Sequence, residues 1–274
     1  MLTLTSAELN TWVAAMLWPL TRILGLIMAS PIYGNAAVPV SMKISLGLLL
    51  ATIIAPTVPA IPAADPMSMA GMLILVQELI IGAAMGISIR IVFAAIEFAG
   101  EVSSMTMGLG FATFFDPNSA GRSSAVGQLL ALVATMAFLA VNAHLVLLSA
   151  LAESFVTLPI SAVPISLNAP LEMVKWGGRI FSAGMQLSLP IVAALLITNV
   201  ALGILTRAAP QLNLFGIGFP ITLGVGFLTL SLVIPYLSTP IMNLFNQGIE
   251  AARAIPRGGA QRTPPTVLPA APVR

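Results

Sequence analysis

Apolar positions run through this chain in stretches long enough to be measured against a bilayer. A membrane span needs roughly 20 such residues at 1.5 Å of rise each. Ile23–Met42 and Ile44–Ala64 are two runs of that kind, split only by Lys43. Pro31, Tyr33, Gly34 and Pro39 place a turn between them. The pattern therefore predicts a first helix over Leu9–Ser30, with Arg22 near its far end, and a second over Val40–Thr57. Pro56, Pro59 and Pro62 close the second helix, and Ala60–Pro66 reads as a proline-rich loop. Met1–Asn10 carries Glu8 but no Lys or Arg, so it lacks the basic start of a cleaved signal. The apolar stretch behind it is expected to belong to the mature fold.

The remaining segments are longer. Ser68–Gly108 predicts one extended helix, apolar in bulk yet carrying Glu78, Arg90, Glu97 and Glu101. Gly82 and Gly86 form a G-x-x-x-G step, which allows a second helix to approach closely. Met107–Arg122 reads MGLGFATFFDPNSAGR, a loop by its Gly and Asp-Pro-Asn signals, but one rich in phenylalanine. Ser123–Ala152 is free of charge and predicts a single membrane-like helix, with Ser154–Pro170 as an ordered loop. Leu171–Arg207 predicts a helix kinked at Pro190. A turn follows over Ala209–Gly218, then a last helix from Pro220 to Gln247, bent at Pro235. Arg253–Arg274 reads as a disordered Pro/Arg/Ala tail. The expectation is an all-α, polytopic membrane protein of about six long, kinked hydrophobic helices.

Composition sharpens this picture. Of 274 residues, 58% are hydrophobic and only 7% are charged, against about 25% charged in an ordinary soluble domain. The formal net charge is +2, too little and too scattered for the dense basic face of a nucleic-acid reader. There is no cysteine and one histidine, which removes disulfides, thiolate metal sites, cysteine nucleophiles and His-rich metal centres. No cofactor or metal is expected. Loop charge gives little topology: Lys43, Arg122 and Arg207 fall on one side, Lys175, Arg179 and the tail arginines on the other.

Candidate chemistry is confined to a few places. Glu97 and Glu101 share a helix face at i and i+4, with Arg90 and Glu78 on much the same side. Ionisable groups in an apolar segment point to function, such as proton or ion coupling in a transporter. A buried ion network is the structural alternative. His144, beside Asn142, reads as a hydrogen-bonding partner in an apolar helix. Asn199 reads as helix glue and Arg207 as a C-terminal charge favourable to the helix dipole. The sequence shows no nucleophile elbow, Walker motif, dinucleotide fingerprint or zinc-protease motif, so an enzyme is not expected. The methionines at Met67, Met69, Met72, Met105 and Met107 fit apolar packing, with thioether adaptability as a further use.

Three stretches resemble one family. The run Gly178–Ile221, with its core RAAPQLN-x-F-x-x-GFP at Arg207–Pro220, is similar to the signature region of the FliR family. These are the R subunits of flagellar type III export gates, with relatives in virulence-type injection systems. The signature positions are Arg207, Pro210, Gln211, Asn213, Phe215, Gly218 and Pro220. The MGLGFATFFDPNSAG loop resembles a second family feature. The opening PLTRILGLIMASPIYGNAAVP, with the VSMKISLGLLLA after it, resembles a third. The resemblance covers nearly the whole chain up to about Arg257.

The resemblance implies a P-like helical portion over 1–170 fused to a Q-like hairpin over 171–250, ahead of the tail at 251–274. It implies a single R copy in a hetero-oligomer with P and Q subunits, with the B export-switch subunit as a further partner. The cargo would be unfolded secreted polypeptides. The gate would lie in the bacterial inner membrane within the flagellar basal body, much of it above the bilayer plane. Glu78, Arg90, Glu97 and Glu101 would then face neighbouring subunits. By position, Gly108–Gly121 would be the plug loop: Phe111, Phe114 and Phe115 give bulk without charge. Gly108, Gly110 and Gly121 act as hinges, Asp116-Pro117 fixes a turn, and Met105 and Met107 form a deformable rim. An apolar plug suits the task, because non-directional contact re-forms after displacement. Energy would come from other subunits. The competing readings are a proton- or ion-coupled small-molecule transporter using Arg90, Glu97 and Glu101, and a purely structural membrane anchor.

Overall fold

The computed structural model describes residues 6–59, 62, 64–111, 124–163, 168–209 and 214–260. Among them there is no strand. The helices are α1 (Ser6–Ala29), α2 (Val40–Ile54), α3 (Met69–Thr106), α4 (Ala125–Ala140), α5 (Ala143–Thr157), α6 (Asn168–Gly177), α7 (Arg179–Ala208) and α8 (Phe219–Ala260). Short 3₁₀ turns at Ala55–Thr57 and Leu109–Phe111, and a π-helical turn at Leu214–Gly218, join or end them. Among the described residues, four helical segments are long and apolar enough to cross a membrane: Val40–Thr57, Met69–Thr106, Met173–Ala208 and Gly216–Gly258. The pair α4 and α5 makes a fifth if its two halves act as one span.

Two departures from the sequence reading have clear causes. The charge-free stretch Ser123–Ala152 is two helices, α4 and α5, which bend by 65° at their junction. The break falls at Asn142, whose φ of 55° lies in the left-handed region. Asn tolerates that region better than other non-glycine residues, and a scan for charges is blind to backbone handedness. The last helix passes Gln247 and runs on to Ala260. Its apolar face continues through Ala252 and Ile255, both buried, so residues 251–260 are helix and not tail. Residues 261–274 lie outside the described residues. Pro190, expected to kink α7, lies within the one helix Arg179–Ala208.

The chain forms two compact units that interleave along the sequence. The first takes residues 1–87, 148–174 and 250–274. Its core is the crossing of α1 and the first half of α3. A Cβ on Gly25 would stand 2.6 Å from the Leu79 carbonyl oxygen. One on Gly82 would collide with the Arg22 carbonyl, and one on Gly86 would stand 2.7 Å from that of Leu26. The G-x-x-x-G step is thus a packing face, and backbones meet where side chains would hold them apart. Gln77 of α3 donates from Nε2 to the carbonyls of Ser161 and Val163, each at 3.0 Å, tying down the chain after α5.

The second unit takes residues 88–147 and 175–249. Phe93 of α3, Phe138 of α4 and Phe245 of α8 meet with ring centroids 5.0 to 5.7 Å apart. Each such pair adds roughly 0.5–1.5 kcal/mol beyond its buried area. Phe98 packs edge-on against Phe181 of α7. Trp176 of α6 donates from its indole nitrogen to the Ser88 carbonyl at 3.0 Å.

Candidate functional site

The phenylalanine-rich loop leaves α3 at a fixed point. Helix hydrogen bonding ends at Met107 and Gly108, where the Met107 N–H donates to the Ser103 carbonyl and the Gly108 N–H to that of Met105. Gly108 has φ 85°, a conformation open to glycine and costly for residues with a Cβ. Gly108 therefore turns the chain as it leaves α3 where a residue with a Cβ would be strained. Gly110 stands in open space, where an added Cβ would meet nothing within 4 Å. Met107 is fully buried, whereas Met105 is 71% exposed. Met107 lies over α8 at Gly226, where an added Cβ would stand 2.5 Å from its Cγ. The Thr222 hydroxyl donates to the Met107 carbonyl at 3.4 Å.

The loop returns to the same helix end. Glu101, on the penultimate turn of α3, accepts the Ser124 N–H with Oε1. Ser124 is the N-cap of α4, and its hydroxyl accepts the Gly127 N–H at 3.0 Å. A carboxylate at a helix N-terminus is favoured by the dipole and satisfies a donor the helix cannot. Both ends of residues 109–123 are therefore held by the C-terminal turns of α3. Phe111 lies in the 3₁₀ turn, with its side chain outside the described residues, and Phe114, Phe115, Asp116, Pro117 and Gly121 lie outside them entirely.

The four polar residues expected on α3 divide between the two units, Glu78 in the first and Arg90, Glu97 and Glu101 in the second. Glu78 is buried in the first unit and pairs with Arg22, which the sequence reading placed on α1 but gave no role. Arg22 Nε stands 2.6 Å from Oε2 of Glu78 and Nη2 stands 3.0 Å from Oε1. Nη1 donates to the Ser154 hydroxyl at 3.1 Å and Nη2 to the Leu158 carbonyl at 3.0 Å. The guanidinium carbon also lies 4.3 Å from the ring centre of Phe155. Such a buried charge pair persists only where the geometry is forked and the remaining donors are satisfied. The signal that could have found this partner was a lone Arg inside an apolar helix. In the second unit Arg90 is exposed, while Glu97 and Glu101 are half-buried.

The signature stretch is also placed in part. Arg207 is exposed on the last turn of α7, and Gly218 is buried in the π-helical turn. Pro220 sits in the first turn of α8, directly after the π-helical turn. Pro210, Gln211 and Asn213 lie outside the described residues, as does the Phe215 side chain. His144 lies in the first turn of α5, beside the bend at Asn142.

Long apolar helices, a glycine crossing and a loop pinned at both ends describe a polytopic membrane protein, with no cluster of metal-ligating side chains among the described residues. Residues 13–248 match the bacterial export proteins, family 1, and the chain belongs to that family. It is 43% identical to the flagellar biosynthetic protein FliR of Pectobacterium carotovorum subsp. carotovorum over 247 residues, 90% of this chain and 94% of that one. It is 39% identical to the flagellar biosynthetic protein FliR of Escherichia coli (strain K12) over 249 residues, again 90% and 94%.

Proposed function

We propose that this chain is the R-type subunit of a flagellar protein export gate in the bacterial inner membrane, within the basal body. It would assemble as a single copy with P and Q subunits and contact the B export-switch subunit. Together they would form the channel for unfolded flagellar proteins. On this reading residues 1–170 are the P-like portion and 171–250 the Q-like hairpin. Much of the assembled gate stands above the bilayer plane. The relatives' names support the flagellar assignment over a virulence-type system.

The observation that carries the gate reading is the attachment of the 109–123 loop. Gly108 stops α3 in a left-handed conformation, and Glu101 holds the returning chain at Ser124. A plug must be displaced by cargo and return to one place. A loop whose two ends are fixed to one helix end does that without a restoring energy source. Its phenylalanines supply an apolar seal that re-forms. The chain itself is conduit, plug and assembly piece, with energy supplied by other subunits.

The test is deletion of residues 109–121 in the assembled complex, read as ion leakage across the membrane and as export. Leakage with assembly preserved is expected. A deleted complex that assembles and stays tight overturns the plug. Loss of proton-dependent export from Glu97→Gln, with assembly and tightness intact, would instead favour the transporter-like reading of the acids.

A further inference from the structure

One row of side chains on each helix of the α7–α8 hairpin changes character at the same level. On α8 the exposed row advances by three or four residues at a time. It runs through Ile221, Gly224, Leu228 and Leu232, then Tyr236, Thr239 and Asn243. Before Pro235 this row carries aliphatic side chains and a glycine, and from Tyr236 it is polar. On α7 the equivalent row begins with Ser182 and Gln186 and continues through Leu189, Leu196, Val200 and Ile204. A groove of about 410 Å³ between the two helices fixes their register. Gln186 and Pro190 line one wall, and Tyr236, Pro240 and Asn243 the other. The polar start of α7 thus lies beside the polar half of α8, and the aliphatic ends lie together.

We infer that only the half of the hairpin nearest the α7–α8 turn is a lipid-facing surface, and that the bilayer boundary crosses it between Gln186 and Leu189 and between Leu232 and Tyr236. The occupant proposed for the aliphatic face is lipid hydrocarbon. Leu189–Ala208 covers roughly 20 residues, about 30 Å at 1.5 Å each, the thickness of a hydrocarbon core. Leu196, Ile204, Leu228 and Leu232 are 61% to 66% exposed.

The hydroxyls in this half are internally satisfied. Thr198 donates to the Ala194 carbonyl at 2.9 Å, Thr206 to Gly203 at 3.0 Å, Thr229 to Val225 at 2.8 Å and Ser231 to Leu228 at 2.9 Å. Hydrocarbon demands that arrangement, because it offers polar groups no partner. Asn199, the exposed amide of this half, sits on the flank of the row and not in it. At the boundary Tyr236 is 80% exposed, an amphipathic ring where one end is apolar and the other wet. Arg207 stands at the opposite end, where a long cation can reach the headgroups. Past Tyr236 and before Leu189 the two rows present amides and hydroxyls, with Phe181, Met185 and Met242 exposed beside them.

The sequence contains no cysteine, so single spin labels can be placed cleanly. Labels go at Leu196, Ile204, Leu228 and Leu232, and at Ser182, Gln186, Thr239 and Asn243. The full chain is studied in its membrane complex in phosphatidylethanolamine–phosphatidylglycerol bilayers. Power saturation then compares oxygen, which concentrates in lipid, with a water-soluble nickel chelate. The expected result is oxygen preference at the first four sites and nickel preference at the second four, reversing across the stated boundary. Nickel access at all eight, oxygen preference at all eight, or protection from both reagents at the aliphatic four each overturns the proposal. The last outcome would mean protein covers that face. A variant that fails to assemble is replaced by its neighbour on the same row, Val200 or Gln247. None of these outcomes depends on the export role.

Discussion

Arg22 shows how much a single side chain can decide in an apolar chain. Its guanidinium and the Glu78 carboxylate are both buried, with the Ser154 hydroxyl and Leu158 carbonyl taking further donors. Removing one partner leaves an uncompensated charge inside the unit. Arg22→Ala is expected to cost about 3–5 kcal/mol, whereas the paired change Arg22→Met with Glu78→Leu should come close to neutral. Unfolding in mild detergent measures both; a single change as mild as the double would show the pair to be weakly coupled. Glu101 works differently, since it caps a helix. Glu101→Ala should loosen Ser124 by about 1 kcal/mol, a typical cap loss, while Glu101→Gln keeps an acceptor oxygen and most of the effect. Hydrogen exchange at the Ser124 and Gly127 amides reports this directly, and unchanged exchange in Glu101→Ala would remove Glu101 from the loop's support.

Elements here are positioned by small residues more than by large ones. The α1–α3 crossing depends on Gly25, Gly82 and Gly86, where added carbons would strike backbone. Gly82→Leu is therefore expected to push the helices apart and prevent folding of the first unit, while Gly203→Ala, in open space, should be silent. Comparing detergent-resistant expression of the two checks this. The α4–α5 bend makes a second case. Asn142 sits at φ 55°, so Asn142→Gly should preserve the bend and Asn142→Val should strain it by about 1–2 kcal/mol. Equal thermal stability of the two would show that the bend is set by packing and not by the backbone at that residue.

For the molecule as a whole, two interleaved units in one chain call for an assembly test. Helix α3 gives its first half to one unit and its second half to the other. Exposed aliphatic side chains are abundant on α2, α7 and α8, more than a lone soluble chain could carry. Native mass spectrometry of the chain co-expressed with its genomic neighbours is expected to find one copy among several small hydrophobic subunits. A stable monomer or homodimer would return attention to Glu97, Glu101 and ion transport.

What the sequence determined by itself was class and punctuation. Scarce charge and long apolar runs gave an all-α membrane protein, and the positions of Pro and Gly gave the ends of α2 and α3. The RAAPQLN-x-F-x-x-GFP stretch identified the family. These features are local, and one-dimensional patterns record local energetics. Only the tertiary structure decided which acid meets which base. Glu78 turned to Arg22, 56 residues away, while Glu101 turned to Ser124, although the pattern along α3 placed both acids on much the same side. The break at Asn142 and the continuation of α8 to Ala260 were hidden for a related reason. Backbone handedness and the burial of Ala252 and Ile255 depend on what packs against them, and no spacing rule within a single helix contains that partner.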